Sequence, residues 1–384
     1  MKNKGIFKKL FSFFSYYSSD NIDWYLFGSI AFLVIFGLVM LSSAGAPDGF
    51  RNFGDSYWHV KHQLIFGFLP GLVCFFFFSR FDHRKLKKLA LPLLIFSIVL
   101  LVLVFVPGIG SSNDTIARSW LNIFGFSIQP AEIVKLTYLL FLVAWLVGKG
   151  EKKIQDLHYG FLPFIFILLV VVGLLMLQPD FGTMSIILFT SLAVYFVAGG
   201  RFLHMLWLSL VGVGGLAVMV KISPYRLARL TTFLHPELDP NGIGYHINQA
   251  LLAVGSGSWL GRGFGHSRQK FAYLPEVAGD SIFAVVAEEL GFVISAIVVL
   301  VFMFVAIRGF KLANQCKDQF SRLLAIGIIT WFLFQAFLNI GAIIGILPLT
   351  GVPLPFISFG GTSLTMCLAA TGILANISYQ NRKG

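Results

Sequence analysis

The chain has 384 residues, 57% of them hydrophobic and only 12% charged, with a mean hydropathy of +0.82. Apolar runs of about 20 residues, each long enough to cross a ~30 Å hydrocarbon core, exclude a soluble globular protein, and the lack of alternating ~10-residue segments argues against a membrane barrel. The net charge of +12, with no soluble basic domain to carry it, points to anionic lipid headgroups as partner and not to nucleic acid.

Residues 1–23 form a basic, aromatic segment, "KNKGIFKKLFSFFSYY", which reads as a membrane-surface anchor or as a tail that sets orientation. One all-α transmembrane domain follows at 24–379, then a short tail at 380–384. Ten helices are expected near 24–44, 60–79, 88–106, 130–148, 160–177, 182–199, 203–222, 281–307, 320–343 and 361–379. "AGA" at 44–46 mimics a signal-peptidase site, but the apolar run before it is longer than a signal-peptide core, so it is read as a retained helix. With the N-terminus inside, the inner segments collect Lys8, Lys9, Arg80, Arg84, Lys152, Lys153, Arg308 and Lys311, while the short outer loops hold Arg51 and Arg118. This asymmetry places both termini in the cytoplasm and the loops after odd-numbered helices outside. Cys74, Cys316 and Cys367 have no paired spacing, so neither a disulfide framework nor a zinc site is expected.

Within the fourth expected helix, "QPAEIVKL" carries Glu132 and Lys135 among apolar residues. "QPDFGT" at 178–183 reads as a tight outer turn in which Asp180 caps the next helix. The outer loop 223–280 is far longer than a connection needs to be, which marks it as functional or disordered. It holds an amphipathic stretch, "INQALLAVGSG", and then the Gly-rich "GRGFGHSRQKF". Arg226, Arg229, Arg262, Arg268 and Lys270 lie in it, with His235, His246 and His266. Outward-facing positive charge suits a phosphate-bearing ligand, and glycines 261, 263 and 265 would let backbone amides approach it. A flexible, solvated loop is the competing reading. The histidine spacing matches no metal motif.

Four carboxylates follow in "YLPEVAGDSIFAVVAEELGF": Glu276, Asp280, Glu288 and Glu289. Asp280, where the loop meets the eighth helix, reads as an N-cap, as a general base at the membrane boundary, or as both. Glu288 and Glu289 would lie roughly 12 Å along that helix, at a depth where ionisable groups need partners, and Lys135 is the cation expected for them. "LPLTGVPLPFISFGGTS" at 347–363 is dense in Pro and Gly, and Ser358 there reads either as part of a rigid, close-packed loop or as a wall of a polar cavity.

The stretches "SWLNIFGFSIQPAEIVKL", "LQPDFGT", "PYRLARLTTFLHPELDPNGIGYHINQALLAVGSGSWLGRGFGHSRQKFAYLPE", "DSIFAVVAEELG" and "NIGAIIGILPLTGVPLPFISFGGTS" together resemble the SEDS family, the FtsW/RodA glycosyltransferases of the bacterial cell wall. The resemblance spans about residues 24–379. "QPDFGT" and "SRQKFAYLPE" look more like the FtsW branch, and "LPLTGVPLPF" is closer to RodA, with the FtsW branch the better match overall. It implies a multi-pass protein of the cytoplasmic membrane that polymerises lipid II outside the bilayer beside a class B penicillin-binding transpeptidase. It also implies that Asp280 is the essential acid, and that Arg118 and Lys135, with Glu132, belong to the working region. Arg226, Arg262, Lys270 and Glu276 are the further candidates for pyrophosphate and sugar contacts, and Glu132, Glu288, Glu289 and Ser358 for a supporting polar network. Two departures stand out. The family pattern "HTDFIFA" reads "AGDSIFA" here, and the Arg that usually precedes the Trp is displaced by Ser119 to position 118. No cofactor is expected, and a divalent cation such as Mg²⁺ stays open as a helper for a pyrophosphate. A lipid-linked-precursor flippase and a non-catalytic division scaffold are the alternatives of other classes.

Overall fold

The structure, a computed structural model, describes residues 23–106, 110–111, 119–123, 126–222, 231–239 and 242–383. The expected anchor segment, Arg118, Arg226 and Arg229 lie outside the described residues. Every expected span finds a helix. They are α1 (Trp24–Ala44), α3 (Trp58–Gln63) running on into α4 (Leu69–Arg80), α5 (His83–Leu103), α6 (Pro130–Lys149), α8 (Leu162–Leu177), α9 (Phe181–Val197), α10 (Phe202–Ile222), α12 (Ile282–Gln315), α13 (Gln319–Ile343) and α14 (Gly361–Lys383). Short helices α2 (Ala46–Phe53), α7 (Glu151–Ile154) and α11 (Ile243–Ser256) lie in the connections, and α11 realises the amphipathic stretch of the long loop. Eight helices among the described residues are long and apolar enough to cross a membrane, with α9 and the Phe202–Gly212 stretch of α10 as shorter apolar helices. The protein is therefore a multi-pass membrane protein.

Local chemistry explains the irregular points. α4 and α8 each begin with a proline at the second position, and each follows a π-helical turn, at Leu64–Phe68 and Leu157–Phe161. The proline ring removes one donor and crowds the preceding turn, and the wider turn relieves the clash. Between α5 and α6 the chain adds a small antiparallel sheet of β1 (Gly110–Ser111), β2 (Trp120–Ile123) and β3 (Phe126–Ile128). Its strands are too short to be read from periodicity.

The core gathers around α13, which packs on α6, α9 and α12, while α14 packs along α4. Trp331, Tyr138, Tyr195, Phe164 and Phe332 are fully buried there. Outer helices turn Ile35, Phe166 and Leu169 outward, as lipid permits, since acyl chains solvate apolar side chains as well as protein does.

The sequence suggests one continuous eighth helix, and the structure corrects this. α12 is broken at Gly291, whose φ of 77° and ψ of −177° lie in a region only glycine enters without strain. The break frees backbone groups from helical pairing, and the loop before α12 partners four of them. Arg262 and Gly263 donate to the carbonyls of Glu288 and Glu289 (3.0 and 2.9 Å), while Phe292 and Val293 donate to those of Ser258 and Trp259 (2.9 and 3.2 Å). A side chain on Gly261 or Gly291 would collide with the opposing backbone. Buried non-helical backbone in a membrane protein requires this kind of satisfaction.

Candidate active site

Asp280 sits half-buried just before α12. Ser281, not Asp280, holds the N-cap position, and it makes no side-chain capping bond, so the capping expectation for Asp280 is not met. By contrast Asp180 caps α9 as expected, accepting from the Thr183 amide at 2.9 Å. Asp280 is fixed through its backbone. Its carbonyl accepts from Asn339 Nδ2 at 2.7 Å, and the same amide group donates to the Val352 carbonyl at 2.8 Å. Phe359 N donates to the Ala278 carbonyl at 2.8 Å. The Asp280 turn is thereby tied to α13 and to the Pro/Gly-dense segment that precedes α14. Asp280 Oδ1 accepts from Ser281 Oγ at 3.3 Å.

Glu276 lies four residues earlier, with an exposed side chain. Its carboxyl is nonetheless raised above the usual range, first by desolvation against the surrounding loop and second by the negative charge of Asp48 on α2. Asp48 in turn faces His59 Nε2 at 3.3 Å.

Glu288 and Glu289 are 1% and 0% exposed, and their partners are not the expected one. Glu288 accepts from the Arg268 and Gln269 amides at 2.9 and 3.3 Å and from Ser267 Oγ. Arg262 Nε stands 3.8 Å from it. Glu289 accepts from the Gly265 and Ser267 amides at 3.0 and 3.3 Å, from Ser43 Oγ at 2.7 Å and from Lys270 Nζ at 2.8 Å. The Gly-rich loop therefore does present backbone amides to anions, but the anions are the protein's own carboxylates. Lys270 has a buried structural partner where a substrate contact is expected. Arg262 keeps an outward-facing edge, with its Nε also reaching the Ser256 carbonyl at 3.3 Å.

Lys135 pairs with Glu132 at 2.7 Å instead of with Glu288 or Glu289. It also reaches Gln335 Oε1 at 2.8 Å and stands 5.1 Å from the Trp331 ring centroid. Gln335 Nε2 donates to the Pro353 carbonyl at 2.8 Å. Gln335 and Asn339, one turn apart on α13, thus join the Lys135–Glu132 pair and the Asp280 turn to the same segment, 352–353. Their i, i+4 spacing in an otherwise apolar helix is a signal the sequence reading passed over. Ser358 serves as a turn hydroxyl, accepting from the Leu354 amide at 2.8 Å. Among the described residues no group of three or more His, Cys, Asp or Glu side chains could hold a metal ion.

A bundle of this shape, with one carboxylate at the mouth of a broken helix and two locked beneath a long loop, defines a polytopic membrane protein with a candidate site where the long loop meets α12. Residues 23–383 match the family described as "Cell cycle protein", that of FtsW, RodA and SpoVE, and the chain belongs to it. It is 40% identical to the stage V sporulation protein E of Bacillus subtilis over 91% of this chain and 95% of that one. It is 38% identical to a probable peptidoglycan glycosyltransferase FtsW of Trichlorobacter lovleyi, covering 93% of each. Its fold is similar to a chain in a structure described as "Structural coordination of polymerization and crosslinking by a peptidoglycan synthase complex" (TM-score 0.77, 31% identity, 94% of this chain and 99% of that one). It is also similar to the Thermus thermophilus rod shape determining protein RodA (TM-score 0.69, 29% identity, 94% and 98% covered).

Proposed function

We propose that Asp280 is the general base with which this peptidoglycan glycosyltransferase extends glycan strands. The observation that carries the assignment is the division among the four clustered carboxylates. Glu288 and Glu289 are buried and saturated with hydrogen bonds, whereas Asp280 lies at the mouth with its backbone held by Asn339. A base must be reachable and must be held still.

The substrate is lipid II, a disaccharide on a polyprenyl pyrophosphate. An acceptor hydroxyl gives its proton to Asp280 and attacks the anomeric carbon of the donor. The bond from that carbon to pyrophosphate breaks, and the carbon inverts in the single displacement. Pyrophosphate leaves readily, so activation of the acceptor is the demanding step. Arg262, whose side chain keeps an exposed edge, is the loop cation proposed to meet the leaving charge. The charge asymmetry of the loops supports an active site on the extracytoplasmic side, and the partner is a class B penicillin-binding transpeptidase, in line with the synthase complex to which the fold is similar.

The test is polymer formation from fluorescent lipid II by the purified protein with its transpeptidase. Asp280→Asn should lower the rate by about 10²- to 10⁴-fold while the protein stays folded and membrane-inserted. Glu276→Gln should retain polymerisation. Equal polymer from Asp280→Asn and the parent protein would remove Asp280 from the role. Loss of polymer from both the parent and Asp280→Asn, with labelled lipid II still crossing vesicle bilayers, would favour a flippase.

A further inference from the structure

Helix α11 delivers a histidine to the Asp280 turn that the reaction above does not use. His246 Nε2 lies 2.7 Å from Ser281 Oγ, and Ser281 Oγ lies 3.3 Å from Asp280 Oδ1. Ser281 is completely buried, so its hydroxyl is shielded from bulk solvent. A hydroxyl carries one proton. An ionised Asp280 can only accept, so the Ser281 proton points at Oδ1, and the contact with His246 must then be made by a proton on Nε2. The order of donation is fixed as His246 Nε2–H to Ser281 Oγ, and Ser281 Oγ–H to Asp280 Oδ1. Burial pushes the His246 imidazole down to about 4, so it is neutral at working pH and keeps one definite tautomer.

We infer that His246 is a positioning residue for Asp280, acting through Ser281 to fix the rotamer of the carboxylate before the acceptor sugar arrives. This rests on the assignment of Asp280 as base. The geometry favours it over simple packing for two reasons. Ser281 stands at the N-cap of α12, where a hydroxyl ordinarily bonds a backbone amide of the first turn, and it makes no such capping bond. Its two side-chain contacts run instead to the histidine and to the carboxylate. The link also crosses elements, since α11 closes on the start of α12 and brings a residue 34 positions upstream onto the base.

The experiment is steady-state polymerisation of fluorescent lipid II by the full-length protein with its transpeptidase, for His246→Ala, His246→Gln, Ser281→Ala and the double variant His246→Ala/Ser281→Ala. Each single deletion should lower kcat about tenfold with KM within about twofold, the scale of one hydrogen bond to a charged group. His246→Gln keeps an amide donor and should recover most of the rate. The double variant should be no worse than the poorer single one, because both act through one bond. Unchanged kcat in His246→Ala, a change in KM alone, failure of Gln to recover more than Ala, or additive losses would each overturn the inference. If His246→Ala does not fold, Ser281→Ala, which deletes one oxygen, decides the question. Asp280→Asn is run alongside. An inactive Asp280→Asn with an unaffected Ser281→Ala refutes the positioning role alone, whereas an active Asp280→Asn refutes the base assignment beneath it.

Discussion

Lys270 and Glu289 meet at 2.8 Å with side chains 4% and 0% exposed, and Ser43 of α1 closes the pair by bonding both. A loop lysine, a helix glutamate and a serine from the first helix therefore meet at one buried point. The attraction offsets the desolvation of both charges only while both are present.

Removing one partner is the informative change. Lys270→Met leaves Glu289 charged and buried, and should destabilise the protein by about 3–5 kcal/mol. Lys270→Met combined with Glu289→Leu should recover part of that loss. Thermal unfolding in detergent measures both. A single variant as stable as the parent would mean that the pair carries no structural weight.

Gly291→Ala should be severe, because the new side chain meets a disfavoured backbone angle and the backbone of Leu260 and Gly261 at once. The expected loss is about 2–4 kcal/mol, with release of residues 257–263 from the break. Proteolytic nicking in that stretch, faster than in the parent, is the readout.

Asn339→Leu removes one amide that satisfies two carbonyls, those of Asp280 and Val352. Stability should fall by about 2–6 kcal/mol, at about 1–3 kcal/mol for each of the two orphaned carbonyls. The polymerisation rate should fall too, since the Asp280 turn loses its tie to α13. A stable, fully active Asn339→Leu protein would contradict the role given to this side chain.

His246 predicts an acid limit. Its imidazole is pushed down from 6.5 to about 4 in the folded protein. Well above pH 6.5 it is neutral in both folded and unfolded chains and contributes no pH dependence. As pH falls from 6.5 towards 4 the unfolded chain takes up the proton and the folded chain does not, so stability is lost in that window, by about 2–3 kcal/mol after allowance for partial solvent screening. His246→Gln should flatten this slope. Glu276 works in the opposite sense: its raised carboxyl binds a proton more readily when folded, so it favours the folded state as pH falls through the carboxylate range. The difference between parent and His246→Gln melting curves at pH 7 and pH 5 isolates the histidine.

The helices were legible because twenty-residue apolar runs and basic loop ends are strong, local signals. The turn at Asp180 was legible for the same reason. The wiring of the site was not. Lys135 looked like the natural partner for Glu288 or Glu289 because charge alone was being matched, yet Glu132, three residues away on the same helix face, had the shorter reach. The Gly-rich loop looked like a phosphate cradle because glycine spacing cannot say which anion the amides will find. The break in α12 was hidden inside an apolar run, where one Gly before Phe292 carries little weight against the hydrophobic residues around it. His246 stood out as a residue type, but its contact with Ser281 depends on how α11 folds back, which no periodicity encodes.

The break at Gly291 also bears on how the chain is made. Residues 292–315 alone reach ~36 Å at ~1.5 Å per residue, enough for a full crossing. The stretch 282–290, with its two glutamates, need not enter the bilayer as part of that crossing. A nascent chain can commit residues 292–315 to the lipid on their hydrophobicity alone and leave the acidic turn waiting at the exit. The groups that satisfy those charges come from the preceding loop and from Ser43 of the first helix, so their burial requires these elements to assemble and does not follow from insertion alone.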